Sequence, residues 1–122
     1  MCLDKICDFE VKTDIGYKIF INYNTGEYYL PLKGNGCVVP INQWVKEKDY
    51  RPQMLKCCRT VPMGKYPFGF HIFLSRKSAA SYRFSHTHSC SIIKRVRFRN
   101  VVAKGLQGQR RTVVAKEMMI LE

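Results

Sequence analysis

One segment of the sequence, Tyr66–Tyr82, combines strand, turn and helix signals and constrains the fold more than any other. Its first part is rich in Phe and Ile, which favour a β-strand, and contains the punctuating residues Pro67 and Gly69. Ser75 then precedes a run of small residues, and a serine in this place is typical of a helix N-cap. The segment therefore predicts a strand, a tight turn and a short helix in succession.

A hairpin is predicted upstream of this segment. Residues 17–23 and 27–32 have strand character and flank Asn24-Thr25-Gly26, whose Asn and Gly tolerate the positive φ of a tight connection. Residues 1–14 fit either an amphipathic turn or an edge strand. The prolines within residues 52–67 predict an irregular connection there.

More strands are predicted downstream. Ile92–Phe98 alternates between apolar and charged residues, and Val101–Lys104 and Thr112–Leu121 continue as one or two further strands, separated by the turn residues Gly105 and Gly108. The sequence thus predicts an α+β fold, mainly an antiparallel sheet of five to seven strands with one or two short helices.

Length and composition predict a single domain spanning residues 1–122. A chain of 122 residues can bury one hydrophobic core but not two, and a hydrophobic fraction of 46% argues against disorder. The sequence shows neither a signal-peptide pattern nor an apolar stretch of membrane-spanning length. We therefore expect a cytoplasmic protein whose six cysteines are reduced thiols.

Positive charge is concentrated in the second part of the chain. The net charge is +12, from 21 Lys and Arg against 9 Asp and Glu. Residues 1–55 hold seven of the basic and seven of the acidic side chains, which leaves fourteen basic residues and only Glu117 and Glu122 in residues 56–122. A segregated positive field attracts anions, so nucleic acid, a nucleotide or an acidic protein surface is the expected partner class.

The basic strand Ile92–Phe98 is the clearest candidate site. A period of two places Arg95, Arg97 and Arg99, which we call the arginine row, on one face at intervals of about 6.6 Å. Arginine binds phosphate oxygens through its planar fork. Further residues predicted near the row are Lys94, Lys104, Arg110 and Arg111. The alternative is a solvated face whose arginine stems cover apolar surface.

No metal site is predicted. His86, His88 and Cys90 alternate, and the pair Cys57-Cys58 could supply further ligands, but the spacing matches none of the usual zinc patterns. A polar loop with a buried Cys90 is the interpretation that we prefer.

A second interpretation comes from a family resemblance. The segment Gly69–Tyr82, GFHIFLSRKSAASY, resembles the central motif of the ADP-ribosyltransferase-like fold, a Gly-x-x-Phe strand followed by a Ser-Ala-x-x-Tyr-type helix. The resemblance implies an NAD-binding enzyme, or a degenerate one, in which Ser78, Tyr82 and a late-strand acid, Glu117, line the nicotinamide site. The early strand departs from the family pattern, since it offers Lys18 in place of His or Arg.

The chain also resembles small phage-encoded accessory proteins of unassigned function, which run from a GYK-type strand through a GFH-type strand to a final VVA-type strand. This resemblance implies a viral inhibitor of a host defence system, acting in the host cytosol. Together with the charge, it predicts a non-enzymatic binding protein that holds an anionic partner such as nucleic acid, a ribonucleoprotein or a nucleotide. The alternative is the NAD-binding enzyme.

Two residues have structural interpretations beside these functional ones. His71 lies within an apolar strand, where a hydrogen-bonded core histidine is commoner than a catalytic one. Glu117 shares a strand face with apolar residues. If that face is buried, its carboxylate must be paired with an arginine or a backbone donor.

Overall fold

The longest strand of the structure pairs with different neighbours along its two halves and thereby organises the sheet. The computed structural model describes residues 3, 5–22, 26–30, 38–50, 69–86 and 91–121. Their strands are β1 (Lys5–Ile6), β2 (Ile15–Ile21), β3 (Tyr28–Tyr29), β4 (Val38–Val39), β5 (Val45–Lys46), β6 (Phe70–Phe73), β7 (Ser91–Gln107) and β8 (Arg110–Ile120). The described helices are a short 3-10 turn, Glu47–Asp49, and one α-helix, α1 (Arg76–His86).

β7 closes the sheet on itself. Its first half pairs antiparallel with β2, from Ser91 to Arg97, while the half from Val96 to Gln107 pairs antiparallel with β8. β6 pairs with β8 and meets β2 where Tyr17 lies opposite Phe73. The strands β2, β7, β8 and β6 therefore form a ring, to which β1, β3, β4 and β5 are added at the margins.

The mainly antiparallel α+β fold is confirmed, but the described residues form a sheet of eight strands, where five to seven were predicted. One strand that the sequence analysis did not predict is β5, which has only two residues. A strand this short shows no hydrophobic period. The hairpin of β2 and β3 is confirmed by the pairing of Ile21 with Tyr29 and by the positive φ of Gly26.

The predicted strand break at Gly105 is wrong, because β7 runs through it for 17 residues. Gly105 lies where β1 approaches, and a Cβ atom there would be 2.1 Å from the carbonyl oxygen of Lys5. The glycine is thus a point of close contact between strands. The turn comes at Gly108 and Gln109, which both have positive φ, as the tight connection of a two-residue hairpin requires.

Two apolar layers cover the two sides of the sheet. Inside the ring, apolar residues pack together, among them Phe20, Phe70, Ile72, Val96, Phe98, Val113, Met118 and Ile120. On the other side, Ala79 of α1 packs against Ile19, Phe73 and Ile93. The predicted N-cap of this helix is confirmed, since Ser75 Oγ accepts a hydrogen bond of 3.0 Å from the Ser78 amide. No helix in the described ranges is long and apolar enough to cross a membrane.

Gly16 offers a test of the ring closure. Its Cα faces β6 so closely that an added Cβ would lie 2.4 Å from Ile72 Cγ2 and 2.8 Å from the Phe73 carbonyl oxygen. Gly16→Ala should lower the free energy of unfolding by about 1–3 kcal/mol, because β2 and β6 must move apart. Urea denaturation measures the change. Val38→Ile, which also adds one carbon but at an exposed position, is the control, and equal stability of the two variants would contradict the close contact.

Candidate anion-binding face

The arginine row lies on the exposed side of β7. Arg95, Arg97 and Arg99 are exposed, whereas Val96 and Phe98 between them are buried inside the ring. The alternation that the sequence predicted for this strand is therefore confirmed. Ile93, one step earlier on the same side, is covered by α1, so the open part of this side begins at Arg95.

Neighbouring strands place apolar and aromatic side chains beside the row. Residues directly opposite each other in an antiparallel pair project to the same side. Tyr17 lies opposite Arg95, Ile15 and Met119 lie opposite Arg97, and Glu117 lies between Arg99 and Lys46. We call this surface the outer face, and it consists of Ile15, Tyr17, Trp44, Lys46, Arg95, Arg97, Arg99, Glu117 and Met119.

Trp44 joins the outer face through a stacking contact. The guanidinium carbon of Arg99 lies 3.9 Å from the centroid of the indole ring, a close cation–π distance. Trp44 directly precedes β5. Because β5 pairs with β8, which in turn pairs with β7, the indole group of Trp44 lies close enough to β7 to contact Arg99. The sequence analysis missed this residue as part of the site. Its only signal there was that it is the single tryptophan of the chain.

Two members of the arginine row have carboxylate partners, Glu117 from the basic second part of the chain and Asp14 from the first part. Arg99 Nη2 lies 2.9 Å from Glu117 Oε1, and Asn100 Nδ2 donates to the other oxygen of the same carboxylate. Arg97 Nε lies 3.4 Å from Asp14 Oδ2, and both of these side chains are about half exposed or more, at 46% and 64%. Arg95 has no ion-pair partner in the described ranges.

The environment of Glu117 agrees with its structural interpretation. The residue is buried at 9% exposure, and the hydrogen bond from Arg99 lowers the pKa of its carboxyl group. Sequence reasoning required a partner for this carboxylate if its face was buried, and Arg99 is that partner. The ion pair fixes the orientation of the Arg99 side chain beneath Trp44.

The other predicted basic residues do not join the arginine row. Lys94 belongs to the opposite side of β7, with its ammonium nitrogen 5.1 Å from the centroid of the Tyr28 ring. Lys104 is held by Asp8 at 2.9 Å and by the Phe9 carbonyl oxygen at 2.8 Å. Strand geometry alone did not show these contacts, because their partners lie far away in the sequence.

The two arginines that follow the β7–β8 turn also point elsewhere. Arg110 donates to Ser81 Oγ at 2.7 Å and to the Gly108 carbonyl oxygen at 2.8 Å, which ties the hairpin to α1. Its guanidinium carbon lies 5.6 Å from the centroid of the Tyr82 ring. Arg111 stacks on the ring of Phe9 at 5.4 Å.

The residues of the NAD interpretation lie in two separate places. Ser78 is in the first turn of α1, hydrogen-bonded to Ser75 Oγ at 2.8 Å. Tyr82 packs on Phe73 with ring centroids 5.3 Å apart and contacts Arg110. Glu117 is seven residues farther along β8 than Arg110, roughly 23 Å by strand rise. The structure thus brings Tyr82 near Arg110 but not near Glu117.

The candidate metal ligands lie outside the described part of the structure. They are Cys57, Cys58, His88, Cys90 and the side chain of His86. Among the side chains that the structure describes, no group of three or more His, Cys, Asp or Glu could hold a metal ion. Cys7, in the same ranges, is a free thiol.

A buried cation lies inside the ring and was not singled out as a site by the sequence analysis. Lys18 is only 4% exposed, and its ammonium group donates a hydrogen bond of 2.9 Å to the carbonyl oxygen of His71. Burial lowers the pKa of Lys18 to about 8. Burial and the nearby Lys18 cation lower the pKa of His71 to about 3, so its imidazole is neutral at physiological pH.

Comparisons of this chain with protein-family models, with curated proteins and with solved structures found no match. The resemblances to the ADP-ribosyltransferase-like fold and to phage accessory proteins therefore stay predictions from the sequence.

Lys18 predicts a specific pH dependence of stability. Because its folded pKa of about 8 lies below the ordinary value of 10.5, the unfolded state binds more protons between these two values. The free energy of unfolding should rise with pH across this window, with about 3 kcal/mol contributed by Lys18. Lys18→Met should remove that contribution, as measured by urea denaturation from pH 7 to 10.5. The control is Lys48→Met at an exposed position, and parallel profiles for all three proteins would contradict the assignment.

Proposed function

We propose that the outer face binds single-stranded nucleic acid, without a reaction at that surface. The observation that carries the proposal is the exposed arginine row with Trp44 beside one end and Tyr17 beside the other. Single-strand binding surfaces combine cations that contact the phosphates with aromatic rings on which bases stack. The outer face offers both groups on one side of one sheet.

The charge of the outer face supports an anionic partner. It presents four cations, Lys46 and the arginine row, against the carboxylates of Glu117 and of Asp14 at its edge. The chain as a whole carries +12, so the long-range field adds to this local excess. Contacts with phosphates give affinity and orientation with little preference for sequence.

The two ion pairs of the row suit different roles. The pair of Arg97 with Asp14 is exposed, and such pairs contribute at most about 1 kcal/mol, so a phosphate can replace the carboxylate at little cost. Arg99 is held between Glu117 and the indole ring, which fixes its guanidinium group before any ligand arrives. Arg95 has no carboxylate partner among the described side chains, so its charge is open to a ligand.

Removing Arg95 and Arg97 tests the proposal. Arg99 is kept, because its loss would leave the buried carboxylate of Glu117 without its cation. For the double variant R95Q/R97Q, the slope of log K against log salt for an unlabelled oligothymidylate should become shallower by about 1.4, two phosphate contacts at 0.7 each. Fluorescence of Trp44, the only tryptophan, reports the binding.

The matched control is R76Q/K77Q, which removes the same charge from exposed positions on α1. It should keep the slope of the unmodified protein. Equal losses in the two double variants would show that net charge, and not the outer face, determines the affinity. Binding that does not depend on salt would contradict the proposal altogether.

A further inference from the structure

Next to the outer face, two aligned strands separate and leave a slit. β1 and β2 both run antiparallel to β7, with Ile6 opposite Gly105 and Ile15 opposite Arg97. The eight residues 7–14 therefore lie opposite the seven residues 98–104 of β7. The two registers differ by a single residue, so β1 and β2 would form one continuous strand if the chain between them did not bow outward.

Hydrogen bonds close the slit at both ends. The Cys7 amide donates to the Lys104 carbonyl oxygen at 3.1 Å, and the Phe98 amide donates to the Asp14 carbonyl oxygen at 2.8 Å. Between these two bonds the described residues form no backbone pair across the slit. β7 bulges at the same place, between Val101 and Ala103. Backbone donors and acceptors that face the slit from residues 8–13 and from residues 99–103 of β7 therefore have no strand partner across it.

The slit has the size and lining of a site for a small flat molecule. It is a cleft open to solvent with a volume of about 400 Å³, within the usual range for ligand pockets. Val11, Phe98 and Val101 give it apolar walls, and Val101 is exposed at 39%. Its polar lining consists of Thr13, Asp14, Arg99 and Lys104.

We infer that the slit binds one base of the nucleic-acid strand held on the outer face. This inference rests on the proposed function and names a subsite for it. Arg99 belongs to the arginine row and also lines the slit, so a strand that follows the row passes the slit opening. The apolar walls accept the faces of a base, while the unpaired backbone groups can bond to its edge. Lys104 pairs with the exposed carboxylate of Asp8 and supplies a second cation once a phosphate replaces that carboxylate.

The test compares oligothymidylate with an oligonucleotide of the same length that lacks every base. Both carry the same phosphates, so the difference in affinity measures the bases alone. The unmodified protein should bind oligothymidylate roughly tenfold more tightly, since a stacked base contributes about 1–3 kcal/mol. Val101→Met lays a longer side chain across the slit. It should weaken binding of oligothymidylate about fivefold or more and leave binding of the abasic strand unchanged.

Val38→Met makes the same substitution at an exposed valine of β4 and should leave both affinities unchanged. Thermal melting of both variants checks that they fold. If V101M and V38M bind oligothymidylate equally well, the slit holds no base, although the outer face still binds the strand. If neither oligonucleotide binds the unmodified protein, the proposed function itself is wrong. Tighter binding of polyglutamate, weakened by V101M, would instead assign the slit to an acidic peptide.

Discussion

The pairing of β7 with β2 along one half and with β8 along the other is the constraint on which the structure depends. Because the two pairings overlap at Val96 and Arg97, the strands on either side are drawn round β7, and β6 completes the ring. The ring gives one side of β7 a packed interior. The other side of β7 is covered by α1 near Ile93 and is exposed to solvent from Arg95 to Arg99. Each of the four ring strands is thereby paired with strands on both sides around the core.

The same arrangement determines how the positive charge is used. Successive side chains of a strand point to opposite sides, and Val96 and Phe98 point into the core. Arg95, Arg97 and Arg99 must therefore project outward and share one surface, even though their charges repel each other. Repulsion is relieved by carboxylates that the fold brings from elsewhere, Asp14 before β2 and Glu117 on β8. Of the four predicted basic residues outside the row, Lys94, Arg110 and Arg111 contact aromatic rings, and Lys104 pairs with the exposed Asp8. The outer face is therefore a limited patch, smaller than the charge of the sequence suggests.

The buried lysine Lys18 is accommodated without a carboxylate partner among the described residues. Lys18 lies on the interior side of β2, opposite Lys94, and its described hydrogen bond goes to the carbonyl oxygen of His71. A lysine with a single neutral partner in a buried place loses part of its proton affinity, which the lowered pKa expresses. The ring thus tolerates an amine that can be neutral, whereas the carboxylate of Glu117 needs its arginine.

The sequence by itself determined the local features: the alternation of β7, the strand, N-cap and helix predicted within Tyr66–Tyr82, the β2–β3 hairpin and the concentration of positive charge. These depend on neighbouring residues, so period and capping chemistry reveal them. Only the tertiary structure decided that Gly105 lies inside a strand, that Trp44 stacks on Arg99, that Asp14 reaches Arg97 and that Tyr82 and Glu117 lie apart. Each of these depends on contacts between residues far apart in the chain, and the pairing that creates them leaves no periodic signal.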